Sequence, residues 1–216
     1  MCRGSWWYIE VTKGRKSMIE AWFATPVYYE DVGTDEISKE ITAYLEERPF
    51  RSALGVWNDN CDITFDRETG SQGTKSHTNM LAACPTFKHT AITNATRYLG
   101  MLGHPPEAKP EFVYDAWANR TKKGQYQNYH LHGDADISGV YYHESTGEHE
   151  QGSLILKNPS SAFEISRLTG NQPQDVHYPP VQGRLFLFPG FLEHAVLINQ
   201  TNTPRISVAF NLKISF

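Results

Sequence analysis

The stretch Arg205-Ile-Ser-Val-Ala-Phe-Asn-Leu-Lys-Ile214 alternates apolar with polar or small side chains and is rich in β-branched residues, which predicts a β-strand. Four shorter stretches have the same character, namely Phe112–Trp117, Ile137–Tyr142, Ser153–Lys157 and Arg184–Phe188. Turn residues such as Asn158-Pro159 and Pro179-Pro180 separate them. Short strands divided by turns indicate an antiparallel barrel or a double-sheet jelly roll over residues 111–216.

The amino-terminal half has a helical pattern instead. Apolar residues recur at helical spacing after Thr34-Asp-Glu36, and a second apolar stripe ends at Gly103 and Pro105, so we expect helices near 34–48 and 86–102. The polar stretch 58–79 is predicted to be a loop. The expected fold is therefore α+β but mainly β: one domain over 1–216, with 1–17 as an extension, 18–110 as helical support and 111–216 as the jelly-roll core.

Composition restricts the functional class. A net charge of -4 and a pI near 6.1 give no basic field for nucleic acid, and no run approaches the ~20 apolar residues of a membrane helix. The three cysteines, Cys2, Cys61 and Cys84, are widely spaced, which favours reduced thiols and a cytoplasmic protein. Translation from Met1 or Met18, and a monomer or a homodimer, both remain open.

The best candidate for a metal site is Tyr129-His-Leu-His-Gly-Asp134 together with the distant His194. His130 and His132 are two residues apart, so on a strand both rings project from one face. His194 follows a predicted strand that could return to close the site. Three ligands that leave open positions suit non-haem Fe(II), and Asp134 is a rival ligand to His130.

Arg205 and Ser207 form a candidate anion site. An unpaired guanidinium inside an apolar strand is costly, so a buried anion is a physical reason for Arg205. The alternatives are an edge arginine that reaches solvent or an ordinary salt bridge. Ser207 lies on the same face and could donate to the same anion. Six other histidines (His77, His89, His104, His143, His149, His177) are expected on the solvated surface.

These motifs resemble the Fe(II)/2-oxoglutarate-dependent oxygenase superfamily, in particular its small branch with a His-x-His, distal His and Arg-x-Ser pattern. The matching segments, in chain order, are Trp22-Phe-Ala-Thr-Pro26, Gly124-Gln-Tyr126, His130-Leu-His132, Ser138-Gly-Val-Tyr-Tyr142, Gly183-Arg-Leu-Phe-Leu-Phe-Pro189, His194 and Arg205-Ile-Ser-Val-Ala-Phe-Asn211. The superfamily usually supplies His-x-Asp or His-x-Glu. The all-histidine set of this chain departs from that pattern.

The resemblance implies a double-stranded β-helix in which His130, His132 and His194 hold Fe(II) and act as the catalytic centre. Arg205 and Ser207 would hold the distal carboxylate of 2-oxoglutarate, with Tyr141, Tyr142 and Asn211 beside it. The implied activity is a hydroxylase that uses O2 and decarboxylates 2-oxoglutarate, acting on a small-molecule or peptidyl substrate. Two other readings stay open: a cupin-like metalloenzyme that binds no keto acid, and a non-catalytic jelly-roll binding module.

Overall fold

The computed structural model describes residues 24–33, 35–53, 60–64, 80–160 and 174–216. The expected extension 1–17, the start at Met18, Cys2, His77 and most of the polar stretch 58–79 lie outside these residues. So do the first two residues of the segment Trp22–Pro26.

Within the described residues, eleven strands form two antiparallel sheets. In chain order they are β1 Tyr28–Asp31, β2 Arg51–Ser52, β3 Asp62–Ile63, β4 Glu111–Thr121, β5 Gln127–His130, β6 Ile137–Glu144, β7 Leu154–Lys157, β8 Asp175–Tyr178, β9 Arg184–Pro189, β10 His194–Val196 and β11 Arg205–Ser215. The larger sheet has the order β1-β9-β6-β11-β4-β3-β2, and the smaller has the order β5-β10-β7-β8. The predicted jelly-roll architecture is confirmed.

The helices are α1 Asp35–Glu47, α2 Met80–Ala83 and α3 Pro85–Met101, with 3-10 turns at Pro106–Ala108 and His149–Gln151. Both predicted helices are confirmed. Proline suits the first turn of α3 because its missing amide hydrogen would have no helical partner there. The Glu40 carboxylate of α1 accepts the amide hydrogens of Thr86 and Phe87, which fixes the two long helices together.

The helices pack on one face of the large sheet and bury the main core. Phe87 of α3 contacts Tyr141 and Phe210, with ring centroids 5.1 and 5.9 Å away. Along β11, the even-numbered residues from Val208 to Ile214 join or pack against this core, while the odd-numbered residues from Arg205 to Asn211 line a cavity on the opposite face. The alternation of the strand thus separates structural from functional side chains.

The long central ladder positions that cavity. Strand β4 pairs with β11 over eleven consecutive positions, from Thr121 opposite Arg205 to Glu111 opposite Ser215. Five predicted strands are present, but the sequence did not predict β1, β2 or β3, so residues 18–110 contribute three strands as well as helices. These strands were missed because two of them are only two residues long and carry little periodicity.

Candidate metal centre and adjoining cavity

Three imidazoles meet at one point between the sheets. One nitrogen of each of His130, His132 and His194 lies within 4.8 Å of the others. His130 ends β5 and is the register partner of His194 in β10, and their ring centroids are 4.3 Å apart. The ring centroid of His132 is 5.2 Å from each of the other two. These side chains can therefore hold one metal ion.

His132 reaches this point from outside regular strand structure. The sequence reasoning placed both histidines of the pair on one strand, whereas β5 ends at His130. The backbone amide of His132 donates to Gly190 O at 2.9 Å, which fixes the loop against the end of β9. A Cβ atom on Gly190 would lie 2.1 Å from Ala135 O, so only glycine permits this close approach.

Backbone carbonyls orient two of the three rings. His130 Nδ1 donates to Asn128 O at 2.7 Å, and His194 Nδ1 donates to Leu192 O at 2.8 Å. A neutral imidazole that donates from Nδ1 has its lone pair on Nε2, which is the form that binds a metal ion. His132 Nδ1 faces the side-chain amide of Asn211 at 3.3 Å, and that amide also contacts Ser138.

Burial keeps two of these imidazoles neutral. Desolvation, together with the neighbouring His130, lowers the pKa of His132 to about 4 and that of His194 to about 3. Neutral imidazoles are metal ligands, whereas protonated ones are not. The site is therefore ready to bind a metal ion at neutral pH without releasing protons from these two residues.

At the other end of the cavity, Arg205 is 1 % exposed. Its Nη1 donates to Gly152 O at 2.8 Å and its Nη2 donates to Thr121 Oγ1 at 3.2 Å. The buried Nε atom has no hydrogen-bond partner among the described residues. A buried donor without an acceptor is costly, so Arg205 is suited to a ligand that brings oxygen atoms.

The surroundings of Arg205 contain no carboxylate that pairs with it among the described ion pairs. Its guanidinium carbon lies 5.6 Å from the centre of the Tyr142 ring. Desolvation lowers the pKa of Arg205, while the same burial raises the pKa of the Tyr142 hydroxyl. The expected alternatives, an edge arginine or a salt bridge, therefore do not describe this side chain.

A cavity of about 350 Å³ connects the histidines to Arg205. Its polar lining comes from Asp115, Asn119, Gln127, Ser138, Ser207 and Asn211, and its apolar lining includes Trp117, Leu131, Val140, Leu154, Phe188 and Val196. A volume of this size suits a small organic ligand. Ser207 and Asn211 line the same cavity as Arg205, and Asn211 lies at its histidine end.

Three expectations need correction. Tyr141 was expected beside the co-substrate, but it points to the helical side of the sheet and packs on Phe87, so Tyr142 is the tyrosine that lines the cavity. The rival ligand Asp134 is exposed and lies outside the histidine cluster. His143 is not on the surface: it is 2 % exposed, and its Nε2 lies 3.3 Å from Thr42 Oγ1.

Sequence reasoning also missed polar residues of the cavity. Asp115 and Gln127 were not singled out. The signal was present for β4, because Asp115, Trp117 and Asn119 alternate along one strand and therefore share a face. Trp117 Nε1 donates to Asn119 Oδ1 at 3.2 Å within this row.

Comparisons with known proteins agree with this geometry. A family model described as "Putative 2OG-Fe(II) oxygenase" matches residues 115–211, a little under half of the chain, which confirms the resemblance found in the sequence. The matched segment contains all three histidines, Arg205 and Ser207. No curated protein matches the chain.

Several solved structures share the fold at low sequence identity. A prolyl-4-hydroxylase from Pseudomonas putida is 14% identical, with a TM-score of 0.57 over 88% of this chain and 92% of that chain. A 2OG-Fe(II) oxygenase family oxidoreductase from Burkholderia pseudomallei is 15% identical, with a TM-score of 0.60 over 87% and 84%. HygX from Streptomyces hygroscopicus, solved with nickel, 2-oxoglutarate and hygromycin B bound, is 13% identical, with a TM-score of 0.58 over 89% and 84%.

Proposed function

We propose that this chain is a non-haem iron enzyme that couples decarboxylation of 2-oxoglutarate to hydroxylation of an organic substrate. The proposal starts from the match of residues 115–211 to a 2OG-Fe(II) oxygenase family model. The substrate is a small molecule or a peptidyl side chain. One observation carries the proposal: three convergent imidazoles open onto the same cavity as a buried guanidinium whose Nε atom has no partner among the described residues.

His130, His132 and His194 fit Fe(II) because imidazole is a suitable ligand for it and three ligands leave positions open for other groups. Bound iron supplies the oxygen chemistry, while the protein supplies binding and orientation. The backbone carbonyls of Asn128 and Leu192 hold two of the rings with Nε2 directed away from them. This preorganisation reduces the free energy needed to assemble the ligand set.

Arg205 and Ser207 fit the distal carboxylate of 2-oxoglutarate. The guanidinium is already held by Gly152 O and Thr121 Oγ1, so its position does not depend on the ligand. A carboxylate would satisfy Nε and neutralise a buried positive charge. Ser207 is the register partner of both Asn119 and Tyr142, and these three residues line the cavity together with Arg205.

Apolar side chains make up part of the cavity lining. Val140, Leu154 and Phe188 belong to it, and the Phe188 ring centroid lies 4.9 Å from that of His194. Excluding water strengthens the charge interactions in the cavity and protects reactive groups from side reactions.

The test combines metal analysis with a thermal-shift titration and a succinate assay. Protein purified without oxygen should bind about one Fe(II), and 2-oxoglutarate should then raise its melting temperature by mass action. Turnover should release succinate. His130→Ala should abolish iron binding, whereas Asp134→Ala and the exposed control His177→Ala should retain it. Loss of iron in Asp134→Ala but not in His130→Ala would disprove the assigned ligand set.

The all-imidazole ligand set favours one second candidate, a cupin-like metalloenzyme that binds no keto acid. This candidate predicts tight iron binding without thermal stabilisation by 2-oxoglutarate and without succinate. Arg205 would then have a structural role only. The same three measurements therefore separate the two candidates.

We also propose that the protein works in a reducing, cytoplasmic compartment. Cys61 and Cys84 are buried and neither is in a disulfide. Within the described residues, no helix combines the length and the apolar character needed to cross a bilayer.

A further inference from the structure

The cavity floor has opposite polarity at its two ends. The Arg205 end contains a permanent positive charge, and the other end contains the carboxylate of Asp115. Asp115 is the register partner of Asn211, whereas Arg205 is the partner of Thr121 at the far end of the same ladder. The two charged side chains are therefore six positions apart along the paired strands.

Asp115 lines the same cavity as the histidine cluster, and the pairing of β4 with β11 places it next to Asn211. Its partner Asn211 contacts His132 through the side-chain amide. Neighbouring strands are ~5 Å apart, so the carboxylate is about one strand spacing from a side chain that contacts the metal site. A group held by Asp115 would be adjacent to the site of the proposed chemistry.

No positive side chain compensates Asp115 among the described ion pairs and hydrogen bonds. Its carboxylate accepts the backbone amide hydrogen of Ala116, and the surrounding protein raises its pKa by desolvation. The residue is nevertheless exposed, because it faces the open part of the cavity. The free protein thus keeps a desolvated anion where a ligand can reach it.

The neighbours of Asp115 favour an organic cation over a metal ion. Ca²⁺ or Mg²⁺ would require several oxygen ligands, whereas Asp115 is one carboxylate. Trp117 lies two residues along the same strand and lines the same cavity, and its ring centroid is 6.0 Å from that of His132. An indole attracts ammonium and guanidinium groups through its face. Leu131, 54 % exposed at the cavity, offers apolar surface for an aliphatic chain.

We propose that Asp115 determines substrate specificity, and that the substrate carries an amino or guanidinium group on an aliphatic chain. That the bound molecule is a substrate rests on the proposed oxygenase function, whereas its binding at Asp115 does not. The shared chemistry is that of lysine-like and arginine-like molecules, either free or within a peptide. In this arrangement Asp115 fixes the cationic end, and the adjacent carbon atoms lie beside the histidine cluster.

The experiment measures binding to the full-length chain by calorimetry, with and without Fe(II) and 2-oxoglutarate under anaerobic conditions. The probes are matched charged and neutral pairs: arginine with citrulline, and lysine with norleucine. Each is used both free and as the Nα-acetyl methylamide, which separates a small-molecule substrate from a peptidyl one. We expect the charged member of at least one pair to bind about ten-fold more tightly, and more weakly at high salt.

Asp115→Asn should remove the preference for the charged probe. Glu111→Gln is the matched control, because it removes an exposed carboxylate from the same strand outside the cavity lining, and it should keep the preference. Equal affinity for charged and neutral probes in the wild-type protein would overturn the proposal. So would a preference that survives in Asp115→Asn.

A stability measurement separates a binding role from a structural one. A raised pKa in the folded protein means that the ionised carboxylate destabilises the folded state at neutral pH. Asp115→Asn should therefore leave the melting temperature of the ligand-free protein unchanged or higher. A lower melting temperature together with weaker binding of the neutral probes would show that Asp115 acts structurally, contrary to the proposal.

If the oxygenase function is wrong, wild-type protein releases no succinate while the probe preference still depends on Asp115. If only the present inference is wrong, succinate forms but the preference is absent. The two failures are thus distinguishable.

Discussion

The two ends of the cavity orient a ligand-binding side chain in the same way but use different groups. At each end, a backbone carbonyl holds a nitrogen-containing side chain and leaves another nitrogen for a ligand. His194 uses Leu192 O in this way, and Arg205 uses Gly152 O. His132 and His194, however, are neutral, whereas the guanidinium is a permanent charge that is 1 % exposed.

This difference determines how much each end lowers the stability of the ligand-free protein. Neutral imidazoles with one hydrogen bond each are tolerated in a buried site, but a buried charge without a counter-ion reduces stability. The supporting structure differs accordingly. His130 and His194 lie on strands of four and three residues, while Arg205 begins an eleven-residue strand. The charged end thus has the more extensive backbone support.

Arg205→Met should give the largest selective effect. The methionine removes the charge and the donors while keeping much of the volume, so the affinity for 2-oxoglutarate should fall by about 10²-fold or more. Iron binding at the histidine end should change little. Calorimetric titration of each ligand measures the two ends separately.

The control for that variant is Arg97→Met, which removes an arginine whose side chain is 54% exposed in its ion pair with Glu30. It should leave both affinities unchanged. Equal loss of iron and 2-oxoglutarate binding in Arg205→Met, with an unchanged melting temperature, would contradict the independence of the two ends.

Lowering the pH should reduce the free energy of unfolding of the metal-free protein, because of the buried histidines. Because the folded-state pKa of His194 is depressed to about 3, the unfolded chain binds more protons below its own pKa near 6.5. Stability should therefore be complete above pH ~6.5 and fall as pH decreases toward 3. Each such histidine contributes a slope of up to ~1.4 kcal/mol per pH unit in this window.

Urea unfolding between pH 7 and 4 measures this slope in the metal-free protein. His194→Gln should flatten it, because the titrating group is removed. The exposed His177, paired with Asp175, provides the comparison, and His177→Gln should leave the slope as steep as in the wild-type protein. An unchanged slope in His194→Gln would count against a buried neutral imidazole.

Gly139→Ala should weaken both ends together by disturbing the large sheet, which carries Arg205 and, through Asn211, contacts His132. A Cβ atom on Gly139 would lie 2.1 Å from the Phe210 ring, so the core must shift, at a cost of about 1–3 kcal/mol. Gly100→Ala is the matched control, because a Cβ atom added there on α3 would meet no atom within 4 Å beyond its own helix backbone. It should be neutral or stabilising by up to ~1 kcal/mol in thermal or urea unfolding. A stable Gly139→Ala protein that loses only one ligand would contradict a shared floor.

Asn211→Ala should give the smallest effect, confined to the histidine end. Loss of the amide beside His132 Nδ1 should weaken iron binding by up to about ten-fold through ring orientation. The affinity for 2-oxoglutarate should stay within about two-fold of the wild-type value, which is the size of effect expected from a typical surface substitution. Asn202→Ala removes an exposed amide that contacts Lys123 and serves as the control. Partial recovery in Asn211→Gln would support an orienting role over a purely structural one.

The sequence predicted the strands well where alternation was long, as in β11, and this also placed Arg205 and Ser207 on one face. It failed for Tyr141 and Tyr142 because adjacent tyrosines look alike, and only the register of β6 against β11 assigns one to the helices and the other to the cavity. Asp115 was missed for a related reason. An aspartate in a strand is usually solvent-facing, and nothing local shows that its face is covered.

The histidine site was predictable by residue type but not by backbone. The pair His130 and His132 suggested one continuous strand, yet β5 ends at the first of them and a contact with Gly190 positions the second. Such a contact joins residues far apart in sequence, so spacing alone could not reveal it. The burial of His143 depends in the same way on packing by α1, which brings Thr42 to it.

The eleven-position pairing of β4 with β11 restricts how relatives of this protein can diverge. Deleting one residue within β11 would turn Ile206 and Val208 toward the ligands and Arg205 and Ser207 toward the helices, which disrupts the cavity and the core together. Insertions and deletions should therefore accumulate in the connections between strands, while the lengths of these two strands stay constant. Point substitutions along β11 are then free to exchange ligand preference on one side without altering the packing on the other.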